Sequence, residues 1–158
     1  MSVVTVEVAV SAIFPTIIST CIASLVAYGV AYFRARYDER KAIHDMIAKM
    51  LELAMAYPHV ESDEFLDNWP DVPNATDSDR LRYEIYCCYV FNLLERVWLF
   101  SKDDYSDEGS VANEILHVPE IIADHKRWWL SDKANQNGYT RSFQSYVDRV
   151  IADLGEGE

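Results

Sequence analysis

From Val8 to Phe33 the chain runs for 26 residues without a charged side chain. About 20 apolar helical residues suffice to cross the hydrocarbon core of a bilayer. This stretch is therefore read as a membrane-spanning helix with length to spare for tilt. The seven residues ahead of it contain no Lys or Arg, and the run is about twice the length of a signal-peptide core, so a cleaved leader is not expected. A buried helix of a water-soluble domain would be shorter and would carry a polar stripe.

Arg34, Arg36, Arg40 and Lys41 follow the run at once. Basic residues are retained on the cytoplasmic side, which puts the amino terminus outside and the rest of the chain inside, at the cell (inner) membrane. Tyr28, Tyr32 and Phe33 fall at the same boundary, where amphipathic rings anchor well. The expected organisation is a short external tail over 1–7, a membrane helix over 8–33, a juxtamembrane amphipathic helix over 34–57 and a cytoplasmic bundle over 58–158.

Side-chain size is sorted around the apolar helix. Ser11, Pro15, Ser19, Ala23, Ala27 and Ala31 recur every fourth residue, and Ala12, Thr16, Thr20 and Ser24 form the row beside them. Ile13, Phe14, Ile17, Ile18, Ile22, Leu25, Val26 and Val30 take the other side. Small rows let helix backbones approach closely in lipid, whereas bulky aliphatics suit acyl chains. The pattern implies a partner helix, from a second copy or a foreign subunit; the competing reading is that the hydroxyls only bond back to their own helix.

The part of the chain from Arg34 onward holds all 14 basic residues and 25 of the 26 acids, a formal charge of −11. Such a domain repels phosphate backbones, so general nucleic-acid binding is not expected. Three cysteines, Cys21, Cys87 and Cys88, lack the spacing of a disulfide framework or a zinc site and read as small apolar residues in a reducing compartment.

Beyond the membrane run every periodicity is helical, and the expected fold class is all-α, a single transmembrane helix followed by a small bundle. Ile43, Met46, Ile47, Met50, Ala54 and Tyr57 recur at three and four, predicting a helix that continues the membrane segment and stops before Pro58. Pro58 to Asn74 predicts a short helix carrying Phe65, Leu66 and Trp69 between irregular chain. Thr76 or Asp77 can cap a helix through Leu81, Ile85, Cys88, Val90, Phe91, Leu94, Val97 and Phe100, apolar nearly all round and expected at the centre of the bundle. After the acidic connection 102–110, a short helix is expected over Val111 to His117. Pro119 opens another through Ile121, Ile122, His125 and Trp129, Asn135 to Gly138 marks a turn, and Phe143 to Leu154 predicts a last helix with Gly155 as its terminator.

Signals for chemistry are few. Glu114 and His117 form one Glu-x-x-His pair, the spacing of di-metal bundle sites, but no second pair exists, and Glu52 and Glu95 are the only carboxylates singled out to complete it; no metal or cofactor is expected. Asn92, Glu95 and Arg96 interrupt the most apolar helix, so at least one should enter the core, with His125 and Arg127 as the expected partners. His125, Lys126, Arg127, Trp128 and Trp129 make a basic and aromatic cluster that can meet lipid headgroups, a protein or a phosphate-bearing ligand. The structural alternative keeps one Trp in the core and lets the other cap a groove.

The apolar run, the Tyr83–Glu95 stretch YEIYCCYVFNLLE and the HKRWW of His125–Trp129 together resemble uncharacterised bacterial proteins with one amino-terminal membrane helix and a helical cytoplasmic domain. That resemblance covers most of the chain and implies architecture without an activity. The first functional expectation is a non-enzymatic, membrane-anchored interaction protein or accessory subunit whose cytoplasmic domain docks a partner protein. The alternative is an oligomeric ligand-gated, nucleotide-sensing membrane effector using Arg80, Arg82, Lys126 and Arg127, and the third is a metal-dependent enzyme.

Overall fold

The computed structural model describes residues 3–101 and 118–155, with side chains from Ile17 onward apart from Ser101, Lys133, Ala134 and Gly155. The protein is all-α, and no strand occurs among the described residues. It divides into two compact units, Met1–Ala42 and Ile43–Glu158.

Helix α1 runs unbroken from Val3 to Ala56, because nothing between Arg34 and Lys41 disfavours helix. Pro58 ends it: the residue before a proline is driven out of the helical region, and Tyr57 sits at φ −134°, ψ 62°. In the first unit, α1 is long and apolar enough to cross a membrane. Its bulky residues Ile17, Ile18, Ile22, Leu25, Val26 and Val30 are all exposed.

In the second unit Ile43 and Met50 are buried and Met46, Ile47, Leu53 and Ala54 pack partly against the core, the side that the periodicity predicts. A 3-10 turn, Pro58–Glu61, and helix α2, Asp63–Asn68, bury Val60, Phe65 and Trp69. Asn74 takes a left-handed conformation at φ 60°, which a short polar side chain tolerates. Thr76 then starts helix α3, Asp77–Ser101. Its hydroxyl accepts the Asp79 N–H at 3.2 Å while the Asp79 carboxylate accepts the Thr76 N–H at 3.2 Å, a reciprocal cap. The Thr76 hydroxyl also donates to Asp79 Oδ2 at 2.6 Å, and this bond first, then the one from the Thr76 N–H, holds the Asp79 carboxyl below its usual value.

The expectation that α3 is enclosed on all sides is corrected. Tyr83, Cys87, Val90, Leu94 and Val97 recur on one side and are buried, but Leu81 and Ile85, 55% and 59% exposed, lie with Cys88 and Leu99 on the opposite, open side.

The helix expected from Pro119 through Trp129 is also revised. It is two short helices, α4 (Val118–Asp124) and α5 (Lys126–Ser131), joined at His125, whose φ −101° and ψ 13° leave helical geometry. A second 3-10 turn, Lys133–Gln136, leads to α6, Arg141–Gly155. The break re-aims the following turn, and both indoles enter the core: Trp128 is 2% and Trp129 0% exposed. Neither caps a groove. Phe91 of α3 stacks on both, at 5.2 and 4.8 Å between centroids, while Tyr139 and Phe143 close on Trp129. The helix expected over Val111 to His117, the acidic connection before it and the Glu114–His117 pair lie outside the described residues.

Candidate functional site

Tyr83, Tyr86 and Cys87 lie three and four residues apart on α3, so their side chains share one helix face. The turn at His125 brings an imidazole over that face. His125, 2% exposed, places Nδ1 3.1 Å from the Tyr83 hydroxyl and 3.8 Å from Cys87 Sγ. Its Nε2 is 3.7 Å from Glu61 Oε1, at the end of the first 3-10 turn. The rings of Tyr83 and Tyr86 lie 5.8 and 5.7 Å from the imidazole. A proton on Nε2 directed at Glu61 leaves Nδ1 to accept from the Tyr83 O–H; this tautomer satisfies the short contact.

Thiol, imidazole and carboxylate therefore stand in the order that a cysteine nucleophile requires, but their electrostatics run the wrong way. Burial pushes the His125 pKa down to about 4, and adjacent Asp124 offsets little of that. Burial likewise pushes the Cys87 thiol well up. Nucleophilic cysteines need a thiolate in a partly exposed, electropositive setting, whereas this proton stays on sulfur and Cys87 is fully buried. Burial first, and the Glu61 carboxylate second, raise the Tyr86 hydroxyl too. The arrangement is a polar tie between the 3-10 turn, the α4–α5 junction and α3.

The other singled-out residues do not converge. Asn92 is exposed and donates to its own helix at Cys88 O, 2.7 Å away. Glu95 accepts the Thr140 N–H at 2.6 Å, just ahead of α6, and Arg96 lies with Nη1 3.7 Å from Met46 Sδ. Both are half-buried, and neither pairs with His125 or Arg127 through these contacts. Arg80 donates to Pro70 O at 3.2 Å. Arg82 binds Asp79 at 3.2 Å and lies over the Tyr57 ring, and Lys126 and Arg127 are exposed on α5. No described contact joins the two arginines of α3 to the two cations of α5. On α1, Ser19, Thr20, Ala23, Ser24, Ala27 and Ala31 are exposed; the side chains of Ser11, Pro15 and Thr16 lie outside those described.

Sequence reasoning singled out His125 but missed its partners Tyr83, Cys87 and Glu61. The spacing of Tyr83, Tyr86 and Cys87 was the available signal, since polar tips on a buried face demand a partner. Among the described residues no three His, Cys, Asp or Glu side chains gather to hold a metal. Glu52 is exposed and paired with Lys49 at 3.0 Å. The chain matches no protein-family model, no curated protein and no solved structure.

Proposed function

We propose that this protein is a membrane-anchored interaction protein: α1 spans the cell membrane with its amino terminus outside, and the acidic helical unit in the cytoplasm docks a partner protein. One observation carries the reading. The segment Ile17–Phe33 is uncharged and helical, and every bulky aliphatic on it is exposed, so in water about 25 cal/mol for each Å² of that apolar surface would go unrecovered. A bilayer recovers it. The small-residue row on the same helix supports close packing on a second helix, and the basic flank supports the orientation.

The non-enzymatic part of the proposal rests on His125 and Cys87, whose burial disfavours their charged forms and suits a structural tie. Alkaline extraction of membranes, followed by crosslinking and native mass spectrometry of the full chain in mild detergent, tests the whole reading. The chain is expected in the extracted membrane pellet and in a complex with a second copy or another subunit. Recovery in the supernatant overturns the anchor, and a monomer with nothing copurifying overturns the interaction role.

A further inference from the structure

We propose that the turns of α1 just past the apolar run are a binding surface for the headgroups of anionic phospholipids. The inference rests on the membrane-spanning reading above and adds the chemistry of the lipid it selects. Phe33, Arg34, Arg40 and Lys41 each lie three or four residues from Tyr37, so the five share one side of α1. All five are exposed, Phe33 by 74% and Tyr37 by 69%. Glu39 lies on the other side, with Tyr32 and Ala35, and is half-buried, as is Arg36. Asp38 is exposed at the border of the basic face, beside Arg34 and Lys41, and Asp45 is exposed one turn after Lys41; both acids weaken it.

Depth and charge both favour headgroups as the occupant. Arg34 to Lys41 covers about 10 Å of helix axis, comparable with the polar layer on one side of a bilayer. Aromatic rings settle at that level, and Arg and Lys stems reach phosphate from there. After Lys41 the chain holds 10 basic and 23 acidic residues, so an anionic membrane surface repels that acidic remainder. The exposed cations Arg34, Arg40 and Lys41 offer the same surface an attractive contact at the point where the helix leaves it.

The test is the full chain reconstituted in nanodiscs of equal phosphatidylcholine and phosphatidylglycerol and released for native mass spectrometry. Wild type is expected to retain phosphatidylglycerol in several-fold excess, with the excess shrinking as salt is raised before release. Arg34→Gln/Arg40→Gln/Lys41→Gln should retain the two lipids equally, and Asp38→Asn should increase the excess. Equal retention by wild type, or an undiminished excess in the triple variant, overturns the proposal while leaving the anchor intact. Should the triple variant fail to insert, the single variants and the salt dependence of wild type decide the matter. A wild-type chain that does not enter the discs overturns the spanning reading and this inference with it.

Discussion

The Tyr83 hydroxyl and His125 Nδ1, 42 residues apart in sequence, lie 3.1 Å apart inside the second unit, where both residues are sealed from water. Through this contact each residue supplies the polar partner that the other needs inside the core. Tyr83→Phe should cost about 1–2 kcal/mol, the penalty for stranding a buried acceptor. In a double-mutant cycle with His125→Gln the two changes should be non-additive by about 0.5–3 kcal/mol. All four tryptophans, Trp69, Trp98, Trp128 and Trp129, belong to this unit, so their fluorescence during urea unfolding in detergent reports it alone.

The same imidazole makes the unit sensitive to acid. Unfolded, His125 takes up a proton below its ordinary value of 6.5; folded, it does so only below about 4. Between those values the unfolded state binds more protons, so stability is undiminished above pH 6.5 and falls as pH drops towards 4. The full loss is about 3 kcal/mol. In His125→Gln this component of the pH dependence should vanish, and the difference between the two unfolding curves across that window measures it.

Trp129 Nε1 donates to Asp148 on α6 at 3.0 Å. Trp129→Phe should cost about 1–2 kcal/mol by leaving that bond unmade, and Trp129→Ala about 3–5 kcal/mol through the cavity beside Phe91. Asp148→Asn keeps an acceptor and should stay within about 1 kcal/mol of wild type. Midpoints of urea unfolding at constant slope give the ranking.

The three cysteines should separate by reactivity towards a membrane-impermeant maleimide. Cys88 is exposed, although burial of its thiol and nearby Glu84 push its pKa up, and should label slowly in the folded protein. Cys87 should label only after unfolding, since it is buried and its thiol is held protonated. Cys21 is exposed on α1 and should be shielded by lipid in membranes. Mass spectrometry of peptides labelled in inside-out membrane vesicles, with and without urea, checks all three; rapid labelling of Cys21 without urea contradicts the anchor.

Legibility differed between elements for physical reasons. The end of α1 before Pro58, the Thr76 cap and the buried side of α6 are governed by interactions within one or two turns, and each was readable from spacing and residue type. The open side of α3 was not: Leu81, Ile85 and Cys88 are as apolar as Val90 and Leu94, and only the placement of the other elements divides them into covered and uncovered. The fate of Trp128 and Trp129 was hidden for a related reason. Adjacent residues of a regular helix can share a core, as Val90 and Phe91 do on α3, so spacing alone does not say whether one indole or both are covered; the rings of Phe91, Tyr139 and Phe143 packed around them decide it.

Sequence by itself determined the helical class, the long apolar helix with its basic flank, the end of that helix before Pro58 and the acidic character of the second unit. These follow from local backbone preference, from the period of apolar residues and from charge, none of which needs a distant partner. Tertiary structure alone decided that His125 meets Tyr83, Cys87 and Glu61 rather than Asn92, Glu95 or Arg96, and that its histidine and thiol are neutral. Such pairings join turns and helices far apart along the chain, and the proton affinities they set depend on how completely water is excluded once the chain has closed around them.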